Sequence, residues 1–437
     1  MTENNNVLVA QSGGPSPVIN ASVLGVYLGC EDFPDTFGEI FAGWHGIEGV
    51  LKEKLINLSK QNKTQIELLR TTPAAGAIGT CRYKLKPEQE EDLERVVDVL
   101  KAHNVGYFFY AGGNDSMDTA NRVAELAQNR GLDLVAVGVA KTIDNDVGGG
   151  LNPDGQTFSL IDHTPGYGST ARYWAWKVAQ WNQENMGSSP SDPVLVGQAM
   201  GRKIGFIPAA ARLGDTNREL PLIIAMAESG VGIEELYQKV HDTVVERGRA
   251  LVIVSEGYDV GNLGAAKDTF GHSQFSTGTP AAEIVTAYIN GKGLPVPGNA
   301  RFQVMGTDQR NDHTYISSVD LQEAELVGKE AVRIAIKMGS GYMATIIRKP
   351  GDVYSVEYGA VPLGDVANSE RMLPKDWIDP SRVDVTDGFV RYALPLIGED
   401  PVPIPVKNGR PIFAVMDMSK MEEQTLPTYI PEVHRKA

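Results

Sequence analysis

The stretch VGYFFYAGGNDS at residues 105–116 decides the fold, because an apolar run ends there in a glycine pair followed by polar residues. Its apolar part, Val105 to Tyr110, is typical of a buried strand. Residues 118–130 follow with a helical pattern, and residues 132–140 form another strand pattern. A strand, a glycine-rich turn, a helix and a second strand in this order predict a parallel sheet covered by helices.

The same alternation continues on both sides of this stretch. Upstream, a strand pattern at 7–11 is broken by glycine and proline and followed by a helical segment over 18–27. Downstream, further strand patterns cover 194–196, 220–226 and 251–254, with a helix between the last two. We therefore predict an α/β protein with two Rossmann-like, three-layer α/β/α domains, mainly parallel sheets and an active site in the cleft between the domains.

The charge balance and the cysteine count limit the classes of protein. The 437 residues contain 40 Lys and Arg against 55 Asp and Glu, a formal net charge of −15, which argues against binding to nucleic acid or to an anionic membrane. The N-terminus lacks a signal-peptide pattern, and no apolar run approaches the roughly 18 residues that cross a bilayer. With only Cys30 and Cys81, we expect a cytoplasmic protein without a disulfide framework.

Three predicted strand ends carry glycine pairs or clustered charges: Ser12-Gly13-Gly14, Gly112 to Ser116, and Lys141 to Asp146. Ligands of open α/β sheets bind beyond the carboxyl ends of the strands. Paired glycines let backbone N–H groups approach a phosphate closely. One glycine pair is more simply a tight turn, whereas three such ends in series favour a phosphate site.

The segment KTIDND at residues 141–146 places one lysine, two carboxylates and an amide at a strand end. Phosphoryl transfer needs a base for the attacking hydroxyl, ligands for Mg²⁺ and a cation near the moving charge, and this segment can supply all three. A turn rich in Asp and Asn with solvated charges has the same composition. These residues alone leave both interpretations open.

Several basic residues lie within four residues of a glycine and are candidates for binding phosphate. They are Arg82, Arg202, Arg301 and Arg310. A guanidinium grips phosphate with two hydrogen bonds, although a surface salt bridge is the simpler reading of any single arginine. Glu256 follows a predicted strand and can accept hydrogen bonds from a sugar hydroxyl or begin a helix.

Taken together, these segments resemble the phosphofructokinase family from about residue 6 to residue 340. The segments that carry the resemblance occur in the family's order: Ser12-Gly13-Gly14 with Asn20, Gly112 to Ser116, Thr142 to Asp146, Met200-Gly201-Arg202 and Ser255-Glu256-Gly257. The resemblance implies transfer of a phosphoryl group to the 1-hydroxyl of fructose 6-phosphate.

Two positions indicate which phosphoryl donor the protein uses. Family members that use ATP usually have glycine where Asp115 and Lys141 stand in this sequence. A carboxylate at 115 would repel the α-phosphate of a nucleotide, and an ammonium at 141 would stabilise a transferring phosphoryl group. The chain therefore resembles the pyrophosphate-dependent branch, which implies a reversible reaction that yields fructose 1,6-bisphosphate and phosphate.

The resemblance also implies roles for individual residues. The expected catalytic residues are Asp144 as general base, Lys141, Asp115 and Arg82. Those expected to bind pyrophosphate are Gly14, Gly113, Ser116, Lys141 and Arg82. Those expected to bind the sugar phosphate are Thr142, Ile143, Asp144, Met200, Gly201, Arg202, Glu256, Arg301 and Arg310. Asn114 and Asp146 are expected to serve the Mg²⁺ cofactor.

We expect residues 1–155 and about 308–345 to form a larger, donor-binding domain, and residues 156–307 a smaller, sugar-phosphate-binding domain. Residues from about 346 to 437 are expected to form an irregular extension that packs on the body or on a neighbouring subunit of a homodimer or homotetramer.

Three alternatives stay open. The first is an ATP-dependent 6-phosphofructokinase. The second is a pyrophosphate-dependent kinase that also accepts sedoheptulose 7-phosphate, because Thr307 stands where many pyrophosphate enzymes have tyrosine. The third, from a different class, is a non-catalytic sugar-phosphate-binding regulatory subunit, against which the intact Lys141 and Asp144 argue.

Overall fold

The computed structural model describes residues 5–86, 88–261, 279–367 and 369–435. The strands are β1 Asn5–Gln11, β2 Phe37–Gly43, β3 Leu55–Asn57, β4 Val105–Gly112, β5 Val135–Ala140, β6 Val194–Ala199, β7 Leu222–Ala225, β8 Ala250–Ser255, β9 Ala300–Val304, β10 Tyr342–Arg348, β11 Val356–Pro362, β12 Val406–Lys407 and β13 Arg410–Pro411. The α-helices are α1 Ile19–Glu31, α2 Ile47–Leu51, α3 Lys63–Leu68, α4 Glu90–Ala102, α5 Asn114–Asn129, α6 Tyr167–Ser188, α7 Phe206–Ala209, α8 Ile233–Arg247, α9 Ala281–Lys292, α10 Ser318–Lys337, α11 Leu363–Val366 and α12 Asp387–Ala393.

The chain divides into two compact units. The first contains the residues up to Ser169, Arg310–Glu370, and those from Glu399 onward; the second contains Thr170–Gln309 and Arg371–Gly398. These boundaries differ from the expected ones in two ways. The first unit continues past residue 155 to Ser169, and the chain beyond residue 345 is divided between both units.

The first unit is built on a seven-stranded sheet in the order β11-β10-β5-β4-β1-β2-β3. The five central strands from β10 to β2 are parallel, and the antiparallel strands β11 and β3 lie at the two edges. Strand β11 belongs to the proline-containing extension that was expected to be irregular. It pairs with β10 along the whole of its length, from Val356 to Pro362.

Helices α1 and α10 cross at very short range beneath this sheet. A β-carbon at Gly25 would lie 2.1 Å from the carbonyl oxygen of Glu325, and one at Gly328 would lie 2.2 Å from the carbonyl oxygen of Ser22. Only glycine lets the two backbones approach this closely. Helix α1 begins a few residues beyond the Gly13-Gly14 turn, so the crossing fixes the helix that follows that turn.

The second unit contains a four-stranded parallel sheet in the order β7-β8-β6-β9. Helix α8 packs on it through Leu236, Val240 and Val244, which are buried. The predicted fold class, two α/β units with mainly parallel sheets, is confirmed. Within the described ranges, no helix combines the length and apolar character needed to cross a membrane.

Candidate active site

The first glycine turn is fixed by hydrogen bonds on both sides. The Ser12 N–H donates to the carbonyl of Ala111 at the end of β4 (2.8 Å), and the Gly13 N–H donates to the carbonyl of Cys81 (2.9 Å). The Thr80 hydroxyl in turn donates to the Gly13 carbonyl at 3.0 Å. Gly13 has φ of +77°, a left-handed conformation that glycine adopts without strain. The turn is thereby held against residues 80–82, which end in Arg82.

Lys141 extends from the end of β5 into this turn. Its Nζ donates to the carbonyl of Gly14 at 2.6 Å, and the side chain is buried. Burial lowers the pKa of the Lys141 ammonium from 10.5 to about 8, against the opposite effect of the Asp144 and Asp146 carboxylates. The structure thus places a buried, easily deprotonated cation directly over the glycine pair.

Two arginines complete a cation cluster around the same glycines. A β-carbon at Gly14 would lie 3.0 Å from Nη1 of Arg310 and 3.5 Å from Nη2 of Arg82, and one at Gly13 would lie 3.5 Å from Nζ of Lys141. The charges of both arginines also act to lower the pKa of Lys141. Three cations that converge on a partly exposed backbone turn are suited to binding an anion. Arg310 was expected to bind the sugar phosphate, but its guanidinium lies in this cluster.

The residues after Lys141 alternate between buried and partly exposed. Ile143 and Asn145 are buried, whereas Thr142, Asp144 and Asp146 are partly exposed. The alternation directs both carboxylates to the accessible side of the segment, within electrostatic range of Lys141.

Side-chain hydrogen bonds hold this segment in shape. Asn145 has φ of +58°, and its Oδ1 accepts from the Thr164 N–H at 3.1 Å. The Thr164 hydroxyl donates to the Thr142 carbonyl at 2.9 Å, and the Asp144 N–H donates to the Thr142 hydroxyl at 3.1 Å. Thr164 was missed by sequence reasoning, because it lies outside any motif and no signal in the sequence connects it with residues 142–146.

Helix α5 begins beside the cation cluster with Asn114 and Asp115. The Asn114 Nδ2 donates to the carbonyl of Ser369, and its Oδ1 is buried without a hydrogen-bond partner among the described residues. Asp115 is largely exposed and pairs with Lys84, with 2.6 Å between Nζ and Oδ1. The Ser116 side chain is buried and fills the space over Gly112, where a β-carbon would lie 2.0 Å from its Oγ. The Gly113 carbonyl accepts from the Ser116 N–H at 2.9 Å.

Asn114, Asp144 and Asp146 offer oxygen atoms of the kind that Mg²⁺ prefers as ligands. Within the described ranges, no three His, Cys, Asp or Glu side chains form a cage for a metal ion. Mg²⁺ is commonly held by one or two carboxylates together with water and substrate phosphate. The carboxylates of Asp144 and Asp146 and the unpaired Oδ1 of Asn114 fit that pattern.

A second group of predicted residues meets at the carboxyl edge of the sheet in the second unit. Met200-Gly201-Arg202 follows β6, and Glu256 follows β8, the neighbouring parallel strand. A β-carbon at Gly257 would lie 1.6 Å from the Arg202 carbonyl oxygen, so the two loops touch through their backbones. The charged groups of Arg202 and Glu256 lie 3.9 Å apart.

The Met200 backbone is held by a residue that sequence reasoning missed. Its N–H donates to Oε1 of Gln309 at 3.0 Å, and the same oxygen accepts from the Trp174 Nε1–H at 2.8 Å. Gln309 is buried. The signal in the sequence that could have pointed to Gln309 is its position next to Arg310.

The structure does not bring Arg301 to this edge. Arg301 pairs with Leu195 in the register of β9 and β6, near the amino ends of both strands. From there to Met200 is about five residues, or roughly 16 Å at the usual rise per residue, which exceeds the reach of an arginine side chain. Its Nε instead donates to Asp192 at 2.5 Å. The geometry of these loops therefore gives no support to the prediction that Arg301 binds the sugar phosphate.

Comparisons with known proteins show which family the chain resembles. The family model described as Phosphofructokinase matches residues 6–335. A pyrophosphate–fructose 6-phosphate 1-phosphotransferase of Methylococcus capsulatus is 35% identical over 94% of this chain and 96% of the relative, and one of Halomonas elongata is 34% identical over 97% and 99%. The crystal structure of a pyrophosphate-dependent phosphofructokinase from Marinobacter aquaeolei matches with a TM-score of 0.84 and 32% identity, covering 98% of this chain and 99% of that one.

Proposed function

The chain belongs to the phosphofructokinase family, and from this premise we propose that it transfers a phosphoryl group from inorganic pyrophosphate to the 1-hydroxyl of fructose 6-phosphate. The products are fructose 1,6-bisphosphate and phosphate, and the reaction is reversible. The relatives from Methylococcus capsulatus and Halomonas elongata, which match along almost their entire length, carry the name of this activity. The single structural observation that carries the donor assignment is the buried Lys141 ammonium, 2.6 Å from the Gly14 carbonyl.

The cation cluster is suited to a short, highly charged donor. Lys141, Arg82 and Arg310 meet within a few ångströms of Gly13 and Gly14, where two linked phosphates find three positive charges. Asp115 lies at the start of α5, and its carboxylate would repel the additional phosphate of a nucleotide. We therefore assign these three cations to pyrophosphate, with Arg310 facing the donor rather than the sugar.

Asp144 is the proposed general base. It removes the proton of the 1-hydroxyl as the hydroxyl oxygen forms a bond to one phosphorus of pyrophosphate. The bridging P–O bond of pyrophosphate breaks, and orthophosphate leaves with that electron pair. Negative charge spreads over the oxygens of the transferring group, where the ammonium of Lys141 stabilises it. In the reverse direction, an orthophosphate oxygen attacks the phosphorus at C1, the bond from that phosphorus to the sugar oxygen breaks, and protonated Asp144 gives its proton to the departing sugar oxygen.

We propose Mg²⁺ as the divalent cofactor, with Asp146 and Asn114 as the residues that would hold it. When bound there, Mg²⁺ would neutralise charge on the phosphate oxygens. The protein side of this arrangement depends on residues 142–146, which Asn145 and Thr164 keep in a fixed conformation.

The loops at the carboxyl edge of β6 and β8 are the proposed sugar-phosphate site. Arg202 is largely exposed and supplies a cation for the phosphate, while Glu256 can accept hydrogen bonds from sugar hydroxyls. The Met200 and Gly201 backbone adds polar groups that Gln309 holds in place.

A coupled assay on the purified protein tests this function. Pyrophosphate and ATP are compared as donors, each with fructose 6-phosphate and with sedoheptulose 7-phosphate as acceptor. We expect rapid turnover with pyrophosphate and little with ATP. A preference for ATP would refute the donor assignment, and binding of fructose 6-phosphate without turnover from either donor would indicate a regulatory subunit.

A further inference from the structure

Residues 414–435, which we call the C-terminal strap, cross the first unit by way of several buried partners. The strap begins at Ala414, whose N–H donates to the Thr72 hydroxyl at 2.8 Å. Further along, the Glu422 N–H donates to the Leu55 carbonyl at 2.8 Å. The strap therefore contacts two separate regions of the unit before it reaches the segment that carries Arg82.

Two buried carboxylates hold the second half of the strap. Glu53, which is buried and has φ of +54°, accepts from the Thr425 N–H at 2.6 Å and from the Leu426 N–H at 3.0 Å. Asp92, also fully buried, accepts from the Tyr429 hydroxyl at 2.7 Å and from the Glu432 N–H at 3.1 Å. A buried carboxylate that loses such donors is left with unsatisfied charge, so the strap and the two carboxylates depend on each other.

Asp92 joins the strap to the candidate active site. The hydroxyl of Tyr83 donates to Oδ2 of Asp92, the same carboxylate whose Oδ1 accepts from Tyr429. Gln89 Nε2 donates to the Tyr83 hydroxyl at 2.8 Å, and the ring of His434 lies 6.3 Å from the Tyr83 ring. Tyr83 is buried and directly follows Arg82.

The short segment from Cys81 to Lys84 is consequently fixed at three points. The Cys81 carbonyl accepts from the Gly13 N–H, Tyr83 donates to Asp92, and Lys84 pairs with Asp115. Of these anchors, the two outer ones belong to the glycine turn and to α5. The central anchor is the hydrogen bond from Tyr83 to Asp92, and the strap supports it because Tyr429 and Glu432 also donate to Asp92.

We propose that the C-terminal strap is a positioning element for pyrophosphate binding: Tyr429 and Glu432 hold Asp92, and Asp92 holds Tyr83 and with it Arg82. This inference rests on the proposed role of Arg82 in binding the donor. The strap does not touch the reacting groups. Its effect is to reduce the conformations that Arg82 has to lose when pyrophosphate binds.

The test replaces Tyr429 by Phe, which removes one hydroxyl and keeps the ring. We expect Tyr429→Phe to raise KM for pyrophosphate about 3- to 10-fold, less than the full loss of a hydrogen bond to a carboxylate, because the effect reaches Arg82 only through Asp92 and Tyr83. KM for fructose 6-phosphate should stay unchanged. The matched control is Glu422→Gln, which weakens the strap at its contact with Asn57 and Lys60 and should leave both KM values unchanged.

A double-mutant cycle separates positioning from general loosening. Tyr83→Phe removes the other donor to Asp92, and the combined variant should raise KM for pyrophosphate by less than the product of the single effects, because both act through one carboxylate. Thermal unfolding of each variant sets an assay temperature at which all are folded. Equal rises of both KM values, or an equal effect of Glu422→Gln, would overturn the inference.

Arg82→Lys distinguishes the two levels of the proposal. If Arg82→Lys leaves KM for pyrophosphate unchanged, the assignment of Arg82 to the donor is wrong. If Arg82→Lys raises that KM while Tyr429→Phe does not, the donor assignment holds and the positioning role of the strap is wrong.

Discussion

Replacing Lys141 by Met should make the ligand-free protein more stable and the enzyme much less active. Burial lowers the pKa of Lys141 from 10.5 to about 8, so a charged ammonium there costs the folded state about 3 kcal/mol. Losing the hydrogen bond to the Gly14 carbonyl offsets about 1 kcal/mol of that gain. We expect Lys141→Met to raise the free energy of unfolding by about 2 kcal/mol at pH 7 and to lower kcat by about 10²–10³.

The same pKa values determine whether the stability of the folded protein rises or falls with pH. Because the folded pKa lies below the unfolded one, the unfolded chain binds more protons between pH 8 and 10.5, and the Lys141 contribution to stability rises with pH across that window. Activity changes the other way, because the ammonium is needed: kcat/KM for pyrophosphate should fall above about pH 8 in the ligand-free enzyme.

Urea unfolding at pH 7 and a pH profile of kcat/KM, each measured on both proteins, check this reasoning. Lys141→Gln serves as a matched variant that keeps a neutral donor. The reasoning is refuted if Lys141→Met unfolds at lower urea concentration while still turning over at the original rate.

Three further predictions concern the candidate site. Asp144→Asn should lower kcat by about 10²–10⁴ while calorimetry still detects fructose 6-phosphate binding, and normal turnover would remove Asp144 as the base. Asp115→Gly should admit measurable turnover with ATP, whereas Lys84→Ala, which only breaks the ion pair, should not; no gain with ATP would contradict the repulsion argument. Gln309→Leu should raise KM for fructose 6-phosphate by about 10-fold and spare KM for pyrophosphate, and the opposite pattern would count against its role at Met200.

Much of the site could be predicted from sequence because its residues lie at strand ends. Gly13-Gly14 and Lys141 each follow a strand whose apolar pattern is legible, and parallel strands bring their carboxyl ends to one edge. A residue whose position depends on the register between strands is harder to place from sequence. Arg301 stands beside glycine-rich chain in sequence, yet its place near the start of β9 puts it at the opposite edge.

Residues that act through long-range contacts escaped prediction altogether. Asp92 lies on helix α4, and its partners Tyr83 and Tyr429 are 9 and 337 residues away. Gln309 and Thr164 are ordinary polar residues until tertiary structure aims them at a backbone group. The periodicity of apolar residues predicts which face of a helix is buried. It does not predict which distant donor will hydrogen-bond to a buried carboxylate on that helix.

The place of β10 beside β5 has a consequence during synthesis. The strand Val135–Ala140 pairs on one side with β10, which begins at Tyr342, about 200 residues later in the chain. A ribosome that adds about 5–20 residues per second needs on the order of 10–40 s to make that stretch. For that time an apolar strand edge on the nascent protein has no native neighbour, and such an edge invites pairing with other chains. We expect a chain arrested before residue 342 to associate with chaperones or to aggregate.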